Sequence, residues 1–279
     1  MCLTQSAVSK QVAVLEELLG RSLFQRIRKR LHLTPAGELY VSEVSKILTE
    51  IDKASRYIIS YGGTNEVLKI ATPPTFGDRW LLPHLKGFEE LHPGIHLEIK
   101  TELQPFDLMH GNADVGFFFG RPSWPGADCV PLFHERLVPV CAPDYLNGRV
   151  LGDAQDLGAE TLIQCTSRSE AWPAWFTAHD IDSKNSYQGP RFDTFFLCIR
   201  AARKGFGIAM LPEFLVREEI EEGALMIPFN SSVPSEGCHH LAFAESAANV
   251  PKILAFVSWI ERQVKGEGTP RKFKPTLVA

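Results

Sequence analysis

Residues that could bind nucleic acid occur in two groups near the N-terminus. Glutamine can pair with adenine and lysine with guanine or phosphate, and small hydroxyl residues let a helix approach a groove closely. The first group lies on the polar side of a predicted helix and consists of Gln5, Ser6, Ser9 and Lys10. The second is a compact cluster of cations suited to phosphate contact and consists of Arg26, Arg28, Lys29 and Arg30. The alternative for both groups is an ordinary solvated surface.

A third group of polar residues follows predicted strands in the rest of the chain. Open α/β sheets bind ligands in the loops at the carboxyl ends of their strands, and hydroxyls beside helix N-termini suit a carboxylate or another small anion. The candidate effector-binding residues are Thr72, Thr75, Thr101, Cys165 and Thr166. Each of them alone could instead be a helix cap. The aromatic residues Phe117, Phe118, Phe119, Trp172 and Trp175 are expected in the core rather than in a site.

The sequence predicts no catalytic residues, no metal site and no cofactor. It has no G-x-G-x-x-G after a strand, no Walker loop and no G-x-S-x-G. His239 and His240 are adjacent, and neighbours in a strand point to opposite faces, which argues against a shared metal ion. The cysteines are scattered and never form C-x-x-C, which indicates reduced, buried thiols. They are Cys2, Cys129, Cys141, Cys165, Cys198 and Cys238.

Charge is distributed unevenly along the 279 residues. Residues 1–65 carry nine Lys and Arg against six acids, a balance of +3, which leaves −7 for the remainder of a chain whose net charge is −4. A basic N-terminal part on an acidic body is typical of a protein in which one module contacts phosphates. The sequence has neither a secretory signal nor an apolar run long enough for a membrane span, so we expect a cytoplasmic protein.

The N-terminal part is predicted to form a helix, a hairpin and a long second helix. Thr4 is a suitable N-cap and Gly20 a suitable C-terminal residue for the first helix. Short alternating strands at 23–27 and 31–33 predict the hairpin, and Thr34 and Pro35 open the second helix. Residues 62–65 then predict a flexible linker.

Apolar residues in the long helix are spaced 4, 3, 4, 3 and 4 apart. This is the a/d pattern of a helix that pairs with another helix, although an amphipathic helix packed on its own domain has a similar pattern. The candidate dimerisation residues are Tyr40, Val44, Ile47, Ile51, Ala54 and Ile58.

From residue 66 onward, predicted strands alternate with predicted helices. Such alternation implies parallel strands and an α/β sheet. The predicted strands are 67–71, 95–99, 114–119, 161–165, 187–192 and 207–211. The predicted helices are 80–91, 103–110, 171–179, 194–204 and 250–264. Two further apolar strands, 136–141 and 240–244, lie where the pattern restarts, and we expect them to cross between two lobes.

Several motifs resemble those of LysR-type transcriptional regulators, in particular the branch that contains the glycine-cleavage activator. In the N-terminal part they are residues 4–12 (TQSAVSKQV), 23–26 (LFQR) and 33–37 (LTPAG). Later in the chain they are residues 80–83 (WLLP), 114–116 (DVG), 124–126 (WPG) and 205–209 (GFGIA). The resemblance implies an α/β protein with a truncated winged helix-turn-helix, a long linker helix and a two-lobed effector domain of the periplasmic-binding-protein fold.

The resemblance also implies a domain division. The domains would be a partial winged helix-turn-helix (1–34), a dimerisation linker helix and hinge (35–65), an effector domain (66–264) and a tail (265–279). Lobe 1 would comprise 66–139 and 241–264, and lobe 2 would comprise 140–240. The ligand loops of the two lobes would then face each other across a cleft.

The function that the resemblance implies is transcriptional regulation. Its partners would be double-stranded operator DNA, a small and anionic effector, and further copies of the chain in a homodimer or homotetramer, with no membrane. Family members carry further N-terminal helices before the residue that aligns with Thr4, and their wing usually holds a glycine where this chain has Arg28, Lys29 and Arg30. The alternative is therefore a solute-binding or effector-binding protein that does not bind DNA autonomously.

Overall fold

The computed structural model describes residues 4–27, 30–61, 66–103, 108, 113–182, 184–228 and 231–266. The chain forms two compact units, Met1–Asn65 and Glu66–Ala279. We call them the N-terminal unit and the effector unit. The predicted linker at 62–65, most of the predicted helix at 103–110 and the tail beyond residue 266 lie outside the described residues.

The N-terminal unit contains the elements that its caps and turns predict. Thr4 caps the first helix, since its hydroxyl accepts a hydrogen bond from the Ala7 N–H at 3.4 Å, and Gly20 ends that helix with a φ of +63°. The strands form an antiparallel hairpin, and the Thr34 hydroxyl accepts from the Gly37 N–H at 3.0 Å at the start of the second helix. The elements are α1 (Gln5–Leu19), β1 (Phe24–Ile27), β2 (Arg30–Leu33) and α2 (Pro35–Tyr61).

One carboxylate joins α1 to the hairpin. Oε1 of Glu16 accepts hydrogen bonds from the N–H groups of Leu23 and Phe24, at 2.6 and 3.0 Å. Within residues 4–27 and 30–61, only Leu23 and Gly37 are buried among those whose burial is described. Among the residues whose burial is described, the unit therefore buries very little apolar surface, and local hydrogen bonds connect its elements.

In the described part of the effector unit, the strands form one mixed sheet. Their order across the sheet is β4-β3-β5-β10-β6-β9-β7-β8. The strands are β3 (Glu66–Thr72), β4 (Ile95–Thr101), β5 (Val115–Gly120), β6 (Ala127–Val140), β7 (Leu162–Cys165), β8 (Arg191–Phe192), β9 (Ile208–Pro212) and β10 (Val233–Ala244).

The sheet consists of two parallel groups connected by two long antiparallel strands. β3 pairs in parallel with β4 and β5, and β7 pairs in parallel with β8 and β9. Between these groups, β10 pairs antiparallel with both β5 and β6, and β6 pairs antiparallel with β9. The α/β fold with two lobes and two crossing strands is thereby confirmed.

Helices cover the sheet and complete a core in each lobe. Phe88 and Phe256 lie in the core of the first lobe, whereas Trp172 and Trp175 lie in that of the second, as expected for core aromatics. A short π-helical segment, Gly77–Leu81, connects α3 to α4. The helices are α3 (Pro74–Phe76), α4 (Leu82–Leu91), α5 (Ala171–Ala178), α6 (Phe195–Arg203), α7 (Arg217–Glu221) and α8 (Pro251–Gly266). No described helix is long and apolar enough to cross a membrane.

Two strand predictions differ from the structure in length. The strand expected at 187–192 is reduced to β8, because Gly189 adopts a φ of +115° that ends the extended chain before it. The strand expected at 136–141 begins already at Ala127, and it includes Pro131. Pro131 lies opposite His240, at a register shift in the β6–β10 ladder, where a missing N–H donor is tolerated.

Candidate functional site

A cavity of about 480 Å³ lies between the two lobes of the effector unit. Its walls come from residues that follow β3 and β4 in the first lobe and β7, β8 and β9 in the second. This is the carboxyl end of the parallel strands, where open α/β sheets bind ligands. Aromatic and polar side chains both contribute to the wall, among them Thr75, Phe117, Phe118, Phe119, Trp124, Ser167, Arg168, Phe195 and His239.

Arg168 is the most enclosed cation of the cavity wall. It ends a short 3₁₀ turn that follows β7, and its side chain is 21% exposed. The guanidinium carbon lies 3.4 Å from the ring centroid of Phe119 and 5.7 Å from that of Phe195. The guanidinium is thus stacked on an aromatic face, an arrangement that planar arginine favours.

Beneath Arg168, a buried carboxylate is paired with a buried histidine. Nε2 of His239 lies 2.7 Å from Oε2 of Glu135, and neither side chain is more than 7% exposed. Burial lowers the pKa of His239 even though the hydrogen bond to Glu135 opposes the shift. The imidazole is therefore neutral at pH 7 and donates its Nε2–H to the Glu135 carboxylate.

Within the described part of the chain, two buried polar atoms of the Arg168, Glu135 and His239 side chains form no hydrogen bond. They are Nε of Arg168 and Oε1 of Glu135. Nη2 of Arg168 lies 3.8 Å from that Glu135 oxygen, which is an ion pair at a distance too long for a hydrogen bond. Burial also lowers the pKa of Arg168, with Glu135 opposing the shift. The guanidinium has lost much of its hydration without gaining a full set of partners.

Three polar contacts between described residues connect the lobes. The Phe196 N–H, in the first turn of α6, donates to the Thr75 hydroxyl at 2.9 Å. Nη2 of Arg79 lies 2.5 Å from Oε1 of the buried Glu219 on α7, and Nη1 of Arg79 contacts Glu218. These contacts hold the two walls in the observed arrangement.

Of the five predicted effector-binding residues, Thr75 lines the cavity. Thr72 is buried, and its hydroxyl donates to the Pro73 carbonyl at 3.3 Å. Thr101 and Thr166 are exposed outside the cavity wall. The geometry therefore supports a ligand role for Thr75. The hydroxyls of Thr72, Thr101 and Thr166 do not line the cavity.

Cys165 is also outside the wall, buried directly behind it. Its Sγ lies 3.2 Å from the Ser167 hydroxyl. The pKa of Cys165 is lowered from its ordinary value, chiefly by its interaction with the neighbouring Cys198 thiol, with further contributions from Ser167 and the positive charge of Arg168. For the same reason the pKa of Cys198 is raised.

Sequence reasoning does not identify Arg168, Glu135 and His239 as a group. Arg168 has a usable signal, because it belongs to the loop that starts with Cys165 and Thr166. The sequence predicts core positions for residues 117–119, and Phe117 is indeed buried there, but all three phenylalanines also line the cavity. Within the described residues, no three potential metal ligands cluster.

The predicted DNA-binding residues that the structure describes lie on the surface of the N-terminal unit. Those with exposed side chains are Ser6, Ser9, Lys10, Arg26 and Arg30. Gln5 lies in α1 with its side chain outside the described part, and Arg28 and Lys29 are not described.

The apolar seam of α2 is only partly covered. Tyr40 and Val44 are half-buried, whereas Ile47 and Ile51 are 58% and 56% exposed. Ala54 and Ile58 lie in α2, with side chains outside the described part. Exposed isoleucines on one side of a 27-residue helix leave an apolar surface that this unit does not bury.

Two family models match the chain. One, a bacterial regulatory helix-turn-helix protein of the lysR family, matches residues 1–38, and the other, the LysR substrate binding domain, matches residues 62–265. The chain belongs to the LysR family of transcriptional regulators. Regulators of this family bind DNA and small-molecule effectors and form oligomers, and the family is not one of enzymes.

Two curated relatives of this LysR-family chain are named as transcriptional activators. It is 33% identical over 272 residues to the glycine cleavage system transcriptional activator of Escherichia coli K12, covering 97% of this chain and 88% of that protein. It is 35% identical over 262 residues to the transcriptional activator AmpR of Rhodobacter capsulatus, covering 93% and 88%.

Solved structures of the family share the fold. The effector domain of AmpR from Pseudomonas aeruginosa superposes with a TM-score of 0.66 at 28% identity, covering 73% of this chain and 97% of that one. The full-length virulence activator AphB of Vibrio cholerae superposes with a TM-score of 0.60 at 20% identity, covering 92% and 89%.

Proposed function

We propose that this LysR-family protein binds operator DNA through its N-terminal unit and changes transcription in response to a small anionic metabolite bound between the two lobes. The observation that carries the proposal is the cavity, because a half-buried arginine and a hydroxyl that bonds across the lobes line it, in a chain that also matches a helix-turn-helix model. The effector would bind against Arg168 and Thr75, each supplied by a different lobe. Binding would therefore bias the angle between the lobes.

The DNA contacts proposed for the N-terminal unit are of two kinds. The first turns of α1, with Gln5, Ser6, Ser9 and Lys10, would read base edges, and the hairpin cations Arg26, Arg28, Lys29 and Arg30 would contact phosphates. Homodimers or homotetramers would form through α2, which places two such units on one duplex. Because its target is chromosomal DNA, we propose that the protein acts in the cytoplasm.

Salt dependence of DNA binding tests the first part of the proposal. Anisotropy of a labelled random duplex of about 30 base pairs, titrated between about 50 and 200 mM salt, measures the sequence-independent phosphate contribution. We expect Arg26→Gln with Arg30→Gln to flatten the log–log slope by about 2, because each lost phosphate contact removes about 0.9.

The matched control removes two exposed cations from the effector unit. Lys86→Gln with Lys265→Gln changes the net charge equally and should leave the slope unchanged. If the unmodified chain does not bind the duplex even at about 50 mM salt, the alternative of an effector-binding protein without autonomous DNA binding is correct. If the control flattens the slope equally, the hairpin is not the phosphate contact.

A further inference from the structure

We infer that the cavity selects a monocarboxylate with a flat apolar body, and that Arg168 binds the carboxylate. This inference rests on the proposed function, because it names the chemical class of the effector that would occupy the same cavity. Three observations carry it: the incomplete partners of the guanidinium, the balance of charges in the wall and the aromatic lining.

The first observation is that stacking, rather than hydrogen bonds, holds the Arg168 guanidinium. It lies on the Phe119 ring at 3.4 Å, its Nε has no hydrogen-bond partner, and the nearest oxygen of Glu135 is 3.8 Å from Nη2. Nε itself is too enclosed to contact a ligand, but the terminal Nη groups also form no hydrogen bond within the described residues, and a ligand acceptor in the cavity would supply one. The planar fork of guanidinium donors matches the two oxygens of a carboxylate.

The second observation limits the ligand to one negative charge. The wall contains two cations, Arg168 and Arg121, and two carboxylates, Glu102 and Asp193. Glu135 lies buried behind Arg168 and adds a further negative charge close to the site. One ligand carboxylate is attracted to Arg168, whereas a second would add negative charge to a site whose three carboxylates already outnumber its two arginines.

The third observation defines the body of the ligand. Around Arg168 the wall is formed by the rings of Phe117, Phe118, Phe119, Trp124 and Phe195. The Phe118 and Trp124 rings meet edge to face at 5.1 Å, so they present ring surfaces in different orientations. Aromatic walls favour flat apolar groups, which stack on ring faces and displace water from them.

Calorimetry with the full chain tests the class of ligand. The probes are four aryl monocarboxylates: benzoate, phenylacetate, 3-phenylpropanoate and indole-3-acetate. Against the one that binds tightest, we compare its neutral amide, a dicarboxylate with the same ring, and propionate, which lacks the ring. We expect each of these three to bind at least about tenfold more weakly, because one removes the charge, one adds a repelled charge and one removes the stacking body.

Variants of Arg168 test the contact itself. Arg168→Gln should weaken binding of the best acid at least about tenfold and leave binding of the amide unchanged. Arg168→Lys keeps a positive charge opposite Glu135, so the fold should be preserved. It removes the pair of guanidinium donors that match a carboxylate, so the affinity for the acid should still fall. The matched control is Arg217→Gln, which removes an exposed arginine of the effector unit that lies outside the cavity wall and should change affinity less than about threefold.

Three results would overturn the inference: no aryl acid binds, amides bind as tightly as acids, or both Arg168 variants bind acids as the parent does. None of these results affects the salt dependence of DNA binding, which is measured on the same preparation. A wrong ligand class with intact DNA binding therefore refutes this inference and leaves the proposed function standing.

Discussion

The two units of this regulator bury their apolar residues to very different extents. In the described residues of the N-terminal unit, Leu23 is the buried hydrophobic side chain, whereas Leu18 is 82% exposed. In the effector unit, each lobe closes its own core, with side chains such as Phe256 fully enclosed. The described part of the N-terminal unit relies on caps and local hydrogen bonds, whereas the effector unit is stabilised by its own apolar cores.

The largest expected effect comes from truncating one core residue in the effector unit. Phe256 packs edge to face on Phe88 at 5.2 Å, and Phe256→Ala should lower the free energy of unfolding by about 3–5 kcal/mol. Leu18→Ala, its counterpart in the N-terminal unit, should change it by less than about 0.5 kcal/mol. Urea unfolding followed by circular dichroism measures both, and similar losses in the two variants would contradict the contrast between the units.

The second prediction concerns what covers the α2 seam. If a second copy buries it, Ile47→Asp with Ile51→Asp should dissociate the dimer, because two lost isoleucines at about 1.5 kcal/mol each weaken it at least about 100-fold. Sedimentation velocity at micromolar concentration reports the change in mass.

The matched control places the same charges on the opposite side of the helix. Ser42 and Thr49 are exposed and seven residues apart, and Ser42→Asp with Thr49→Asp should keep the parent mass. If the isoleucine variant also keeps the parent mass, α2 is not the interface, and the exposed apolar surface of the N-terminal unit needs a different explanation.

A smaller loss of stability is expected from removing the Thr75 hydroxyl, which connects the two lobes. Thr75→Val removes the acceptor of the Phe196 N–H and should destabilise the effector unit by about 1 kcal/mol. Thr101→Val changes an exposed hydroxyl on the same lobe and should have almost no effect. All five tryptophans lie after residue 66, so tryptophan fluorescence during urea unfolding follows this unit selectively, and equal destabilisation by the two variants would argue against a cross-lobe bond.

The last expected effect is a pH dependence of the stability of the effector unit. Because burial lowers the pKa of His239 below the ordinary value of about 6.5, the unfolded chain binds a proton more readily than the folded one. Stability is therefore full above that value and falls as the pH decreases from it towards the folded pKa, by no more than about 1.4 kcal/mol per pH unit. His239→Asn should flatten this part of the stability profile, and an unchanged profile would show that other groups cause it.

Local signals in the sequence predict much of the fold. Thr4 and Gly20 define the ends of α1 through side-chain and backbone chemistry that needs no distant contact. The alternation of strands and helices, with its two restarts, predicts the crossing strands, and the family motifs predict the two-lobed fold. Strand ends are harder to predict: apolar and aromatic residues extend the predicted strand over 187–192, although Gly189 and Pro190 form a dipeptide typical of turns and the structure ends the extended chain there.

The site is less predictable because its central residues meet only through the sheet. Glu135 on β6 reaches His239 on β10 and Arg168 after β7, and this depends on strand order and register rather than on sequence spacing. The threonines at strand ends share one local signal although they serve different purposes. Thr72 bonds to the neighbouring carbonyl of Pro73, whereas Thr75 accepts from the other lobe.

The interrupted ladder between β6 and β10 has a mechanical consequence. The register shifts between Pro234 and Cys238 and again between His239 and His240, within the strands that join the lobes. A ladder resists bending least where its hydrogen bonds are irregular, so we expect a change in lobe angle to concentrate there. Glu135 and His239 lie in this irregular part of the strands, and Glu135 pairs with Arg168. A ligand that binds Arg168 therefore acts close to the axis about which we expect the lobes to rotate.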